Sequence, residues 1–223
     1  MEILTEGQRS VLSLLGRSPL RQEFFLTGGT ALSAFYLHHR YSDDLDLFTE
    51  SPLAVPRVPS VMEKVAADLG AAIQFRRMTG SFLECFLTLP SGELLEMDFA
   101  QDTPFRFGPR RLVEVLGIEV DNLLDISTNK LSALYDRSEP KDFVDVYVIH
   151  REVLPFPELV DKARQKHVGL DPYWLAQACA RVREVGLLPR LVKPVTLVPA
   201  SIMSRRPRGS GGRPRRGLSC RRR

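Results

Sequence analysis

The segment FFLTGGTALSAFYLHHRYSDDLDLF, residues 24–48, contains the patterns from which we predict the fold. Its first residues, Phe24–Thr27, form a short apolar run that ends at a pair of glycines. The next residues, Thr30–His39, place apolar side chains at helical spacing, and residues 44–48 alternate acidic and apolar side chains as a strand does. The segment therefore predicts a strand, a glycine turn, a helix and a second strand.

The second strand carries Asp44 and Asp46, which share one face because successive side chains of a strand point to opposite sides. Two neighbouring carboxylates repel each other unless a cation lies between them. Mg²⁺ commonly binds one or two carboxylates and completes its shell with water and substrate phosphates. The glycine turn before the helix offers free backbone N–H groups and the positive end of the helix dipole, which favour phosphate. Together these features predict one nucleotide site that binds Mg²⁺.

The residues that follow predict the remainder of a mixed sheet. A helix is expected over Ser60–Leu69, and the turns after it have the composition of tight hairpins. Strands are expected over three ranges: Ala72–Met78, Phe82–Leu89 and Leu94–Ala100. The last of these strands places Asp98 on one face, so that a third acidic residue can join the two on the earlier strand.

From about Val113 onward the pattern changes to helices. They are expected over four ranges: Ser127–Tyr135, Pro140–His150, Phe156–Lys166 and Pro172–Val185. In the first two, Lys130 and Arg137 lie on one side of a helix, and Asp142 and Asp145 are three residues apart on the next. Cations that face the acidic site would hold a triphosphate. An ordinary salt-bridged pair of surface helices is the alternative that spacing alone leaves open.

The charge of the chain is divided unevenly along its length. Residues 204–223 contain nine arginines and no acidic residue, so the net +4 of the whole chain becomes −5 for residues 1–203. A tail so rich in Arg, Gly and Pro cannot bury apolar surface, and we expect it to be disordered. It could bind RNA phosphates without sequence preference, or be only a solvated terminus.

Other classes of protein are disfavoured by composition. No apolar run reaches the length of about eighteen residues that marks a membrane-span candidate, and the first residues are too polar for a secretory signal, so a cytoplasmic protein is expected. The three cysteines, Cys85, Cys179 and Cys220, are odd in number and lack metal-ligand spacing. They argue against a disulfide framework and against a structural zinc site.

The sequence GGTALSAFYLHHRYSDDLDLF, followed by MDF and then by KLSALYDRSEPKDFVDVY, resembles the AbiEii-type nucleotidyltransferase toxins, a branch of the DNA polymerase β-like superfamily. The resemblance covers Phe25 to about Ile149 and implies an α+β fold, with a nucleotidyltransferase-type mixed β-sheet and flanking helices. Residues 1–112 would form this core, residues 113–203 a helical C-terminal portion that completes the cleft, and residues 204–223 the tail.

The resemblance also implies an activity. A nucleoside monophosphate would pass from an NTP to an acceptor, which is the 3′ end of tRNA in characterised relatives, and a separately encoded antitoxin would be the partner. Carried over by position, catalytic roles fall to Asp44, Asp46, Asp98, Lys130 and Asp142, and Mg²⁺ ligation to the first three of these. Nucleotide binding falls to Gly28, Gly29, Thr30, Arg40, Ser42, Arg137 and Lys141, while Asp145 has a supporting position.

Two other functions compete with this interpretation. A phosphohydrolase could use Asp44 as a nucleophile, but such enzymes place the motif after a buried apolar strand, whereas HHRYSD precedes it here. A non-catalytic protein could retain the fold and bind RNA through its Arg-rich tail. The intact acidic positions favour catalysis over this second alternative.

Overall fold

A computed structural model describes residues 3–183 and 196–198 of the chain. Its centre is a seven-stranded sheet with strand order β3-β4-β5-β2-β1-β7-β6. The strands are β1 Phe25–Thr27, β2 Asp44–Thr49, β3 Ala72–Met78, β4 Phe82–Thr88, β5 Leu94–Gln101, β6 Arg111–Val113 and β7 Ile118–Val120. The sheet is mixed, because β2 runs parallel to β5 and β1 runs parallel to β7, while the other neighbours are antiparallel.

Helices flank this sheet and follow it along the chain. They are α1 Glu6–Leu15, α2 Gly28–Leu32, α3 Val58–Leu69, α4 Leu123–Asp136, α5 Pro140–Glu152, α6 Phe156–Lys166 and α7 Pro172–Ala180. The predicted helix after the glycine turn is α2, which continues as one π-helical turn, Ser33–Leu37, and ends where His38 adopts a left-handed φ of 53°. Asn122 begins α4, because its side chain accepts a hydrogen bond from the backbone N–H of Asp125.

The hydrophobic core lies against one face of the sheet. Strands β2, β4 and β5 alternate buried apolar side chains with half-exposed ones, as the sequence predicts. The buried side chains of these strands are Leu45, Leu47, Leu83, Cys85, Leu87, Leu95, Met97 and Phe99. They belong to one cluster with the apolar faces of α1 and α3. The opposite face of the same strands is thereby left for polar and acidic side chains.

The predicted α+β class is confirmed, and the long strands and helices lie close to their predicted ranges. The prediction of helices from about Val113 was wrong for β6 and β7, which are too short to show a period of two. Because β7 pairs with β1, the sheet extends beyond residue 112. The first predicted helix of this part begins at Leu123 instead of Ser127, and α7 ends at Ala180.

Part of the prediction concerns residues outside the described ranges. The Arg-rich tail, residues 204–223, and the predicted end of the last helix at Val185 both lie there. Within residues 3–183 and 196–198, no helix is long and apolar enough to cross a membrane.

A buried ion pair fixes the helical part against the sheet. The ammonium group of Lys166 on α6 lies 2.9 Å from Asp125 Oδ1 on α4, and both side chains are almost fully buried. Asp125 Oδ2 also accepts a hydrogen bond from the backbone N–H of Phe107, in the loop that follows β5. This carboxylate therefore joins two helices and a loop.

We expect the substitution Asp125→Ala to destabilise the fold by about 3–5 kcal/mol, because it leaves the buried ammonium group of Lys166 without a counter-charge. Urea denaturation followed by circular dichroism measures this loss. The control is Asp161→Ala on the exposed side of α6, for which we expect a change within about 0.5 kcal/mol. A loss no larger than that of the control would contradict the structural role of this ion pair.

Candidate active site

The register of β2, β4 and β5 places acidic side chains together on one face of the sheet. Asp44 pairs with Glu96 and Asp46 pairs with Asp98 across the parallel strands β2 and β5. On the other side of β5, Glu84 of β4 pairs with Asp98. Because paired residues on neighbouring strands point to the same face, these five carboxylates share one surface. Asp44, Asp46 and Asp98, which the sequence predicts on one face, thus lie within a larger group of acidic residues.

The crowding of carboxylates changes their ionisation. Burial, together with the charges of Asp46, Glu96 and Glu84, raises the pKa of Asp98 to about 7. Burial also raises the pKa of Asp46, although the charge of Lys130 opposes this shift. Asp98 can therefore bind or release a proton near neutral pH, which is the property that a general base requires.

Whether these side chains suit a metal ion depends on their arrangement. Oδ1 of Asp98 is buried and has no hydrogen-bond partner among the described residues, so it remains able to bind a cation. However, no three Asp, Glu, His or Cys side chains in residues 3–183 and 196–198 converge closely enough to hold a metal by themselves. Asp44, the predicted third ligand, instead accepts a hydrogen bond from Lys141 Nζ at 3.2 Å. Asp46 and Asp98 thus fit a cation that takes its other ligands from water or substrate.

The glycine turn lies directly against the acidic strand. Gly28 has a left-handed φ of 69°, and a Cβ atom at this position would overlap the carboxylate of Asp46. A Cβ atom on Gly29 would overlap the guanidinium group of Arg40. The hydroxyl group of Thr30 is buried and donates to the carbonyl oxygen of Asp44 at 2.5 Å. Thr30 therefore links the helix to β2 through its side chain.

A buried carboxylate on α5 holds two of the predicted cations. Oδ1 and Oδ2 of Asp145 accept hydrogen bonds from Arg40 Nε and Nη2 at 2.6 and 2.9 Å. Lys130 Nζ lies 3.0 Å from Oδ2, and His39 Nε2 lies 2.7 Å from Oδ1. Burial alone would raise the pKa of Asp145, but Lys130, Arg40 and His39 outweigh it and hold this pKa below its ordinary value. Asp145 stays ionised and fixes both cations.

A second carboxylate on α5 holds a third cation. Asp142 is fully buried and accepts hydrogen bonds from Arg137 Nε at 2.8 Å and Nη2 at 3.0 Å. This two-point contact raises the pKa of Arg137. Asp142, for which a catalytic role stays a prediction, binds Arg137 in this structure and is not among the residues that line the cavity.

These elements enclose a cavity of about 360 Å³. Its lining includes nine of the predicted site residues: Gly29, Arg40, Ser42, Asp44, Asp46, Asp98, Lys130, Arg137 and Lys141. Three predicted residues, Gly28, Thr30 and Asp142, lie behind this lining and support it. The cavity has acidic residues on its sheet side and cations from α4, α5 and the loop before β2 on its other side.

The prediction missed two acidic residues of the cavity, Glu96 and Glu139. Alternation along β5 places Glu96 on the same face as Asp98, so this signal was present in the sequence. Glu139 lies between two cations, with its Oε2 atom 3.4 Å from Lys141 Nζ and 3.8 Å from Arg137 Nε. No local pattern indicates this contact, because it depends on how α4 and α5 pack.

A short C-terminal segment fixes the loop that carries Arg40. The backbone N–H of Tyr41 donates to the carbonyl oxygen of Thr196 at 2.8 Å, and the N–H of Val198 donates to the carbonyl oxygen of His39 at 3.1 Å. Val198 is buried.

The chain matches one protein family and one protein of known sequence. The family described as nucleotidyl transferase AbiEii toxin, type IV toxin–antitoxin system, matches residues 10–172. The uncharacterized protein aq_aa25 of Aquifex aeolicus is 28% identical over 172 residues, which cover 77% of this chain and 79% of that protein.

Solved structures of similar fold include two bacterial proteins. MenT4, a nucleotidyltransferase toxin of Mycobacterium tuberculosis, aligns with a TM-score of 0.50 and 17% identity, covering 70% of this chain and 61% of MenT4. JHP933 of Helicobacter pylori aligns with a TM-score of 0.49 and 16% identity, covering 82% of this chain and 92% of that protein.

The raised pKa of Asp98 predicts a pH-dependent effect of Asp98→Asn on stability. Because the folded-state pKa of about 7 lies above the ordinary value of 3.8, the folded state retains a proton that the unfolded state loses. The stability of the wild type therefore falls as pH rises from about 4 to about 7, and Asp98→Asn removes this loss. In EDTA, we expect the gain in melting temperature from the substitution to be larger at pH 8 than at pH 5.

Differential scanning fluorimetry of both proteins across this pH range makes the measurement. Added Mg²⁺ at pH 8 should then stabilise the wild type more than the variant, because the cation neutralises the crowded carboxylates. An effect of the substitution that is the same at both pH values would show that Asp98 has an ordinary pKa in the folded protein.

Proposed function

The chain belongs to the AbiEii family of nucleotidyltransferase toxins of type IV toxin–antitoxin systems, and we propose that it transfers a nucleoside monophosphate from an NTP to the 3′ end of an RNA, in particular a tRNA, with Mg²⁺ as the metal. Membership of this family implies a nucleotide substrate and an antitoxin. That the antitoxin is separately encoded, and that the reaction takes place in the cytoplasm, are parts of the same proposal.

One observation carries the proposal: a single cavity has carboxylates on one side and three cations fixed on the other. A triphosphate carries negative charge that needs cations, and its metal needs oxygen ligands from the protein. Neither half alone would suit this substrate. The two halves are on different parts of the chain, and the fold brings them together.

The cations act on the phosphates. Lys130, Arg137 and Lys141 would bind the triphosphate and stabilise the charge that develops on the leaving pyrophosphate. Because buried carboxylates hold Lys130 and Arg137 in place before substrate arrives, little reorganisation is needed during the reaction. Lys141, which contacts Asp44, would exchange this contact for a phosphate oxygen.

The carboxylates act on the acceptor and the metal. Asp98 would accept the proton of the attacking 3′-hydroxyl group as the bond from its oxygen to the α-phosphorus forms and the bond to the pyrophosphate breaks. A pKa near 7 suits this transfer, since the group is partly deprotonated at neutral pH and can still retain a proton. Mg²⁺ held by Asp46 and Asp98, with its other ligands from water or substrate, would supply Lewis-acid stabilisation of the phosphoryl oxygens.

The test is transfer of label from each α-labelled NTP to total RNA and to purified tRNA in the presence of Mg²⁺. We expect the wild type to label the RNA, and Asp46→Asn to reduce the rate by on the order of a hundredfold or more, because it removes a charge from the site of transfer. The matched control is Asp43→Asn, which removes the same charge from an exposed neighbour outside the cavity. We expect this control to keep the wild-type rate.

Other outcomes identify other functions. Release of phosphate without labelled RNA would indicate a phosphohydrolase, and binding of RNA without turnover of any NTP would indicate a non-catalytic RNA-binding protein. Equal activity of Asp46→Asn and Asp43→Asn would contradict the assignment of the cavity as the active site.

A further inference from the structure

The face of the sheet that carries the acidic residues continues beyond the cavity onto β3 and β4. Glu84, the neighbour of Asp98, pairs with Arg77 on β3, and Phe86 pairs with Gln74 on β3 and with Glu96 on β5. These side chains therefore point to the same side of the sheet as the catalytic carboxylates. Since Glu96 also lines the nucleotide cavity, this outer part of the face adjoins it directly.

Two arginines cover two phenylalanines on this part of the sheet. The guanidinium carbon of Arg76 lies 5.2 Å from the centre of the Phe86 ring, and that of Arg77 lies 5.4 Å from the centre of the Phe82 ring. Both arginines are exposed. Neither forms an ion pair with a carboxylate of the described residues. Their charges are therefore available to an external anion.

A groove of about 270 Å³ begins at one of these pairs. Its lining includes Gln74, Arg76, Phe86 and Thr88, which carry an amide, a guanidinium group, an aromatic ring and a hydroxyl group. Aromatic rings and guanidinium planes stack on nucleobases, and amide and hydroxyl groups bind base edges. The groove thus combines a surface for stacking with groups for hydrogen bonding.

We propose that the outer face of β3 and β4, namely Gln74, Arg76, Arg77, Phe82 and Phe86, binds the single-stranded 3′ end of the acceptor RNA; this inference rests on the function proposed above. A base stacks at Arg76 and Phe86, and the two guanidinium groups contact phosphates. The strand then crosses β4 toward Asp98. Neighbouring strands lie about 4.8 Å apart, so the path from β3 to β5 is about 10 Å.

The charges along this path favour an RNA strand whose 3′ end points from β3 toward Asp98. Phosphates next to Glu84, Glu96 and Asp98 would be repelled, whereas Arg76 and Arg77 attract them. The terminal nucleoside of a 3′ end has an uncharged hydroxyl group and no phosphate beyond it. Only this uncharged end has to approach the carboxylates, so the arrangement of charges fits an RNA that enters from β3 with its 3′ end leading.

The edge strand β3 is poorly suited to pair with a strand of another protein. β3 lies at the edge of the sheet, where an added strand could in principle pair. However, its register shifts between Phe75 and Arg77, and the exposed Arg76 and Arg77 lie at this irregularity. Irregularities and charged side chains of this kind discourage pairing between strand edges. A nucleic acid that uses the face, and not the edge, meets no such obstacle.

The experiment measures binding of a short, 5′-fluorescein-labelled single-stranded RNA to the full chain by fluorescence anisotropy, over a range of salt concentrations. The test variants are Arg76→Ala/Arg77→Ala and Phe86→Leu. The matched control is Arg21→Ala/Arg164→Ala, which removes two exposed arginines from elsewhere on the surface. Melting temperatures establish that all variants are folded, and the KM values for NTP and RNA are measured in the transfer assay.

We expect the Arg76→Ala/Arg77→Ala variant to bind RNA on the order of tenfold more weakly. Because two phosphate contacts are lost, the slope of the logarithm of the binding constant against the logarithm of the salt concentration should become shallower by about 1.4. Phe86→Leu should weaken binding by about fivefold through loss of stacking. Both should raise the KM for RNA and leave the KM for NTP unchanged, and the control should bind RNA within about twofold of the wild type.

RNA binding by the Arg76→Ala/Arg77→Ala variant that equals that of the control would overturn the inference. RNA binding that falls equally in the control variant would also overturn it, because the effect would then not be specific to Arg76 and Arg77. Failure of the proposed function is distinct from both outcomes: the wild type would then bind RNA through these arginines without labelling it.

Discussion

The candidate active site depends on the carboxylate of Asp145, which is buried and bound to cations from two other parts of the chain. Through Arg40 it joins α5 to the loop before β2, and through Lys130 it joins α5 to α4. A buried carboxylate is stable only with such partners, and removal of one partner from a buried ion pair typically costs about 3–5 kcal/mol. The same interaction therefore fixes the packing of the helical part on the sheet and the positions of two cations in the cavity.

On the sheet side of the cavity, the fold holds acidic side chains close together although their charges repel one another. Strand register keeps Asp46 and Asp98 side by side with Glu84 and Glu96 near them, and burial together with these charges raises the pKa of Asp98. An acidic cluster of this kind reduces the stability of the folded chain at neutral pH, which is common at functional sites. Cations fixed on the other side reduce the repulsion but do not remove it, so the site is ready for a metal and a polyanionic substrate.

Local sequence patterns predicted the acidic face and the glycine turn, whereas Arg40, Ser42 and Lys141 were assigned through the family resemblance. The alternation of β2 and β5 placed Asp44, Asp46 and Asp98 on one face, and the glycine turn indicated where backbone comes close to other groups. What could not be predicted depends on tertiary packing. Asp145 and Arg40 are far apart in sequence, and spacing on a helix did not reveal that Asp142 binds Arg137. The strands β6 and β7 have three residues each, too few for any periodicity to appear.

The central claim is that carboxylates from the sheet and cations from α4 and α5 form one nucleotide site. A crystal structure of the chain with a non-hydrolysable NTP analogue and Mn²⁺, whose anomalous scattering locates the metal, tests this claim most directly. We expect Asp46 and Asp98 to bind the metal, and the triphosphate to contact Lys130, Arg137 and Lys141. A nucleotide bound outside this cavity, or a metal with no contact to either aspartate, would contradict it.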